Sequence, residues 1–186
     1  MTTVWLDETY YPVIASEVDR KEDGTKYRGL SHNLIFIGAA TDKRSIICFV
    51  EDTGKPSQKK SFQAFGNHIT SGSTLAHDKE SAHKRLFSVL DLTSQGYSSK
   101  DLKGLKDRDN PLDPVNSLHD SLKKFLNVHT GYSRNNLQDY LNLFAFVRNP
   151  PVEPLEKVEK LSLLAFQNPI LLHHRDQFVL NQGLIN

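Results

Sequence analysis

The chain has 186 residues, 38% hydrophobic and 24% charged, a composition that fits one globular domain with a sizeable core and a polar surface. Lys plus Arg number 23 against 22 Asp plus Glu, a formal net charge of +1, which excludes a polycationic DNA-coating protein and leaves only local basic faces for polyanions. Apolar runs such as 34–40 and 46–50 are far short of a membrane span, no basic and then apolar leader follows Met1, and the single cysteine, Cys48, forms neither an internal disulfide nor a zinc cluster. A soluble, cytoplasmic protein of one domain is expected.

The segment 2–11 is rich in β-branched and aromatic residues and reads as a strand. Residues 15–29 are polar and carry the turn signal Asp23-Gly24. Residues 33–40 and 44–50 read as two more strands, joined by a link short enough for a hairpin, so the first three strands are expected to be antiparallel. Phe62, Phe65 and Ile69 recur at helical spacing after 54–57. A short strand at 74–77 follows the breaker 71–73. A second amphipathic helix is expected over 79–90, with Ala82, Leu86 and Val89 or Leu90 inward. A helix between two strands signals a crossover, so the fourth strand should run parallel to one of the first three. Residues 91–114 read as a long polar loop of the kind that more often serves function. Asp113 as N-cap and Pro114 as first helical residue open a helix bearing Leu118, Leu122, Phe125 and Leu126 on one face. Further helices are expected over 133–148 and 155–166.

This element order resembles that of an RNase H-like domain: an α/β fold with a mixed five-stranded sheet, its first three strands antiparallel, flanked by helices. In that architecture acids on the first strand, after the fourth strand and on a late helix converge on a pair of metal ions. Asp7 interrupts an apolar, aromatic strand, Asp78 follows the fourth strand, and Asn116 lies in the first turn of the helix opened at 113. Phosphodiester cleavage needs an aligned nucleophile and a stabilised leaving oxygen, which two divalent ions supply. Mg²⁺ prefers hard oxygen ligands and keeps several waters, so two carboxylates and an amide suffice.

The stretch Trp5-Leu-Asp-Glu-Thr-Tyr-Tyr11 resembles the first-aspartate motif of the ISXO-two-like transposases of bacterial insertion sequences. The stretch 72–83 is similar to their second-aspartate segment, and 110–116 followed by 122–126 is similar to the segment bearing their third ligand, Glu in some members and Asn in others. The stretch 137–151 resembles their closing helix, and order and spacing agree as well. The resemblance implies a transposase catalytic domain over 1–151, with a C-terminal helix and tail over 152–186. It implies metal-dependent cleavage and strand transfer of an insertion sequence, two Mg²⁺ or Mn²⁺ ions, and Asp7, Asp78 and Asn116 as catalytic metal ligands. Its implied partners are transposon-end and target DNA, and self-association or a full-length transposase, in a nucleoid-associated setting. Such transposases usually carry an N-terminal zinc-ribbon or helix-turn-helix region, so a truncated copy is the expectation for a chain with five residues between Met1 and Asp7.

Other residues have plainer readings. Glu8 faces away from Asp7 by strand alternation and is expected to be solvated. Asp78 also fits a helix N-cap. Asp113 reads as a cap, and Asp120, one turn beyond Asn116, is the substitute ligand. His77 and His83 either orient ligands or phosphate, or serve packing. Basic residues that would contact DNA are Lys26, Arg28 and Ser31 beside the first hairpin, with Lys59, Lys60, Lys84, Arg85 and Lys123 elsewhere. Two alternatives stand beside strand transfer: an RNase H-like nuclease or resolvase, and an inactive DNA-binding remnant.

Overall fold

The β-branched and aromatic run near Met1 forms β1 (Thr3–Pro12), which becomes a central strand because both its edges find partners. The structure, a computed structural model, describes residues 2–28, 33–53, 57–78, 81–128 and 132–167. β2 (Leu34–Thr41) pairs antiparallel with β1, and β3 (Ile46–Thr53) pairs antiparallel with β2 across a tight turn in which Lys43 takes a left-handed φ of 72°. Helix α1 (Gln58–Phe65), capped by the Ser57 side chain, leads to β4 (Thr74–His77), which lies parallel to β1 on its other edge. A 3₁₀ turn at Ser81–His83 and helix α2 (Lys84–Leu90) follow. The sheet order is β3-β2-β1-β4-β5, a mixed α/β sheet of the RNase H-like kind with its first three strands antiparallel.

The expected helix over 79–90 is shorter in the structure, because its first described turn is 3₁₀. Ala82 and Leu86 are buried as expected, and of Val89 and Leu90 it is Leu90 that packs inward, Val89 being 54% exposed. The polar stretch 91–114 is not a loop throughout. It holds β5 (Thr93–Gly96), parallel to β4, then α3 (Ser99–Leu102) closed by a Ser98–Asp101 capping box, and a 3₁₀ turn at Asp107–Asp109. β5 escapes the hydrophobic pattern because it is an edge strand whose Thr93, Ser94 and Gln95 are exposed, held by its ladder with β4. Helix α4 (Asp113–Leu126) has Leu112 at its N-cap, so Asp113 is a first-turn acid beside the positive helix end instead of the cap itself. Helix α5 (Arg134–Arg148) completes the unit Met1–Asn149. A second unit, Pro150–Asn186, contains α6 (Pro154–Gln167).

Alternation along the strands divides the core. Tyr11, Ile35, Ile37, Ala39 and Cys48 face Leu118, Leu122 and Leu126 of α4 and Leu137, Leu141 and Phe144 of α5. Leu6, Ala40 and Leu75 face Phe65 of α1 and Leu86 of α2. Each wholly buried Leu or Phe contributes about 1.5–3 kcal/mol. Cys48 is packed into the first layer, where burial pushes its thiol up to about 12, so it is an inert core residue.

Two amides close the outer edge of β3. Asn149 accepts from the Ile46 N–H (2.6 Å) and donates to the Ile46 carbonyl (2.8 Å). Gln138 accepts from the Val50 N–H (2.8 Å) and donates to the Cys48 carbonyl (3.1 Å). These side chains take the place of a further strand and leave less edge for pairing with another chain. Gly38 on β2 has the opposite role, since a Cβ there would meet the Glu51 carboxylate and stand 2.6 Å from Phe65 Cε2. Gly38→Ala is expected to lower the unfolding free energy by about 1–3 kcal/mol through overpacking, and Asn149→Ala by about 1–2 kcal/mol through lost amide pairing. Urea titrations check both, and losses under about 0.5 kcal/mol would contradict these roles.

Candidate active site

The parallel pairing of β1 and β4 sets the site. Thr3, Val4 and Trp5 lie opposite Thr74, Leu75 and Ala76. Continuing that register by two residues brings Asp7 level with Asp78, one residue past the end of β4. Trp5 and Ala76 share a face, packed with Leu112 and Val115 at the start of α4, and alternation carries Asp7 to that face.

Helix α4 runs alongside β1 in the same direction. The Trp5 indole donates to the Pro111 carbonyl (2.8 Å), His119 Nδ1 lies 3.8 Å from Asp7 Oδ2, and the Tyr11 hydroxyl donates to the Leu126 carbonyl (3.4 Å). Six strand residues rise about 20 Å and fifteen helical residues about 22 Å, so the two elements keep step. By the same rises Asn116, five residues after Pro111, lies near the level of Asp7, two residues after Trp5. It is half-buried, next to the inward Val115, whereas Asp120 is exposed.

Asp7 is the electrostatic focus. Its carboxyl is pushed up to about 7, first by burial and then by the charge of Asp78, against the lowering effect of the Glu8 N–H, which donates to Asp7 Oδ1 (2.9 Å). His119 is buried and pushed down to about 4, chiefly by desolvation, although its hydrogen bond to the Asp7 backbone works the other way. A neutral imidazole there positions Asp7 without neutralising it. Asp7, Asp78 and Asn116 offer hard oxygen donors suited to a divalent cation.

Two further acids lie on the opposite face of the sheet. Glu8 points away from Asp7 as expected, but it is not solvated: its side chain is only 6% exposed and pairs with His83 Nε2 at 2.9 Å. Alternation fixes the face of a strand residue and not its depth, and here α1 and the Ser81–His83 turn cover that face. Burial lowers the proton affinity of His83, but the hydrogen bond to Glu8 and the charges of Glu8, Asp78 and Glu51 outweigh it, leaving the imidazole above its ordinary value. Glu51 had no sequence signal. The ladder passes from Ile37↔Val50 to Phe36↔Asp52, so Glu51 is the extra residue of a bulge, buried with neither carboxylate oxygen hydrogen-bonded. Burial, then the Glu8 charge, pushes it up to about 8.

The basic residues do not form one surface. Lys59 and Lys60 on α1 and Lys84 and Arg85 on α2 share a layer, with the Arg85 guanidinium 4.7 Å from the Phe62 ring centre. Lys123 is exposed on α4, across the sheet, and Lys26 and Arg28 are exposed on the turn after β1. Ser31 lies outside the described residues.

No protein-family model and no curated protein matches the chain. Among solved structures it is similar to a pre-cleavage Mos1 transpososome (12% identity, 80% of this chain and 49% of that one, TM-score 0.48) and to a Mos1 transposase paired-end complex with the left transposon end (12%, 77% and 47%, 0.47). It is also similar to a simian T-cell lymphotropic virus intasome bound to the PP2A regulatory subunit B56 gamma (12%, 92% and 50%, 0.45). The chain spans about half the length of each, and the likeness is one of fold. Among the described residues no helix is long and apolar enough to cross a membrane.

Because the folded Asp7 carboxyl binds its proton more tightly than the unfolded one, stability is greatest below about pH 4 for this group and is lost as pH rises towards 7. Asp7→Asn removes that loss. In chelator it is expected to exceed the wild type by a few kcal/mol at pH 8 and by little at pH 4, read by chemical denaturation; equal curves at both pH values would contradict the raised carboxyl.

Proposed function

We propose that this chain is a DNA strand-transfer domain of the insertion-sequence transposase type, with Asp7, Asp78 and Asn116 as the catalytic metal-binding set. The observation that carries this is the β1–β4 register, which extended by two residues brings Asp7 level with Asp78, whose charge acts on Asp7, while Asn116 lies in the first turns of the helix packed on that face. A desolvated carboxyl raised by a neighbouring carboxylate has an excess of negative charge that a divalent cation relieves, so the residues fit Mg²⁺ or Mn²⁺, and two such ions are proposed. When bound, these ions lower the pKa of the attacking water or 3′-hydroxyl and neutralise the leaving oxygen.

The chain's own residues have distinct parts. Asp7 is fixed by the Glu8 N–H and by His119. Asp78, one residue past β4, is exposed. Asn116 adds an oxygen donor without a third charge, so the second ion should bind the more weakly. Val115 and Trp5 hold the first turn of α4 against β1 and keep Asn116 at that level. Contact with transposon-end and target DNA is assigned to the α1–α2 layer through Lys59, Lys60, Lys84 and Arg85, with Lys26, Arg28 and Lys123 as separate phosphate contacts. Such binding weakens with added salt because neutralised phosphates release counterions.

Assays with precut and uncut insertion-sequence ends test the proposal. Asp7→Asn and Asp78→Asn are each expected to lower both end cleavage and joining at least about 100-fold, and Asn116→Ala to raise the Mg²⁺ concentration needed. Hydrolysis without joining of precut ends would favour the nuclease or resolvase reading. DNA binding with no metal-dependent chemistry would leave an inactive remnant.

A further inference from the structure

The Glu8–His83 pair is costly to bury, and strand transfer as proposed makes no use of it. His83 is wholly buried and its Nε2 is taken by Glu8, while Nδ1 has no hydrogen-bond partner. A buried ring nitrogen without a partner calls for a proton donor, a water or an ion. Two other donors are close: one ligand atom from each of His77, Asp78 and His83 lies within 4.8 Å of the others. His77 is buried at the end of β4 with Nε2 3.0 Å from Ser94 Oγ, and its ring meets that of His83 edge-on, centroids 5.4 Å apart. Asp78, the third, is exposed.

We infer that His77, Asp78 and His83 form a site for a first-row transition ion of the Zn²⁺ class, with two imidazoles and one carboxylate as ligands and a side open to solvent. Donors 2.0–2.2 Å from a tetrahedral ion stand about 3.3 Å apart, so the cluster needs only a modest inward movement of side chains. Imidazole donors favour Zn²⁺ or Co²⁺ over Mg²⁺ and Mn²⁺, which separates this site from the oxygen-only set of Asp7 and Asn116 although Asp78 borders both. The inference also gives Glu8 a role. A carboxylate on Nε2 holds the tautomer that presents the Nδ1 lone pair, as outer-shell carboxylates do for metal-bound histidines. Ser94 supports His77 in the same way. An ion here would tie the end of β4 to the Ser81–His83 turn and fix the position of Asp78. The inference goes beyond the strand-transfer reading and does not depend on it.

Titration of the chelator-treated full chain with Co²⁺, followed by visible absorption, tests it without DNA. The expected result is one Co²⁺ per chain with the intense bands of a four- or five-coordinate ion bearing nitrogen ligands. Zn²⁺ should displace it and excess Mg²⁺ should not. His77→Ala is expected to weaken binding at least tenfold and Glu8→Gln by about 10–100-fold, with Asp7→Asn close to wild type. His83→Ala empties a buried position, so His77→Ala and Glu8→Gln carry the test if that variant does not fold. A spectrum of hexa-aqua cobalt alone, bands that survive both His77→Ala and Glu8→Gln, or bands lost in Asp7→Asn would overturn the site. Cobalt binding as described with no strand transfer would overturn only the proposed function.

Discussion

Everything around the candidate site depends on three pairs of backbone partners, Thr3↔Thr74, Val4↔Leu75 and Trp5↔Ala76. A slip of one residue in that short parallel ladder would turn Asp78 to the other face, because side chains alternate with a period of two. The register is pinned from both sides. Leu6 and Leu75 are buried against α1 and α2, while buried Ala76 and partly buried Trp5 pack against Leu112 and Val115. The Trp5 indole bond to Pro111 then ties the start of α4 to the same level. Hydrophobic packing thus fixes the positions of three polar side chains that have little packing energy of their own.

The same region carries an unusual load of buried charge. Asp7, half-buried, faces α4, and the side chains of Glu8, Glu51, His77 and His83 are buried under α1 and α2. Packing alone would favour apolar residues at such positions, since a buried acid without a partner is costly. Burial pushes the Asp7 and Glu51 carboxyls up, and both act in one direction: folded-state stability falls as pH rises through their range. His119, held neutral by burial, acts the other way, with stability lost as pH falls from its unfolded value towards 4. A cation between Asp7 and Asp78 would offset the first of these terms.

Much of the sheet was legible from the sequence because its strands are apolar or alternating: β1 to β4, their directions and the amphipathic α4 and α5 follow from periodicity and turn residues. β5 was not, because Thr-Ser-Gln-Gly at an exposed edge has no hydrophobic signature and is held by its backbone ladder with β4 and by the Ser94–His77 hydrogen bond. Asp7 stands out as an acid inside an apolar strand, and Asp78 and Asn116 as polar residues near element ends, while the β1–β4 register explains how Asp7 and Asp78, far apart in sequence, come level. The depth of Glu8 depended on what covers its face, which one strand cannot reveal. Glu51 required the bulge opposite Phe36 and Ile37, and the space that Gly38 leaves for its carboxylate is visible only in three dimensions.

The central claim, that the β1–β4 register makes Asp7 and Asp78 share a cation, is tested most directly by anomalous scattering from crystals of the full chain soaked in Mn²⁺. The account predicts a peak between the Asp7 and Asp78 carboxylates, about 2.0–2.3 Å from an oxygen of each, with Asn116 facing it from α4. Manganese elsewhere on the chain, with Asp7 and Asp78 turned apart at the same soak, would contradict it.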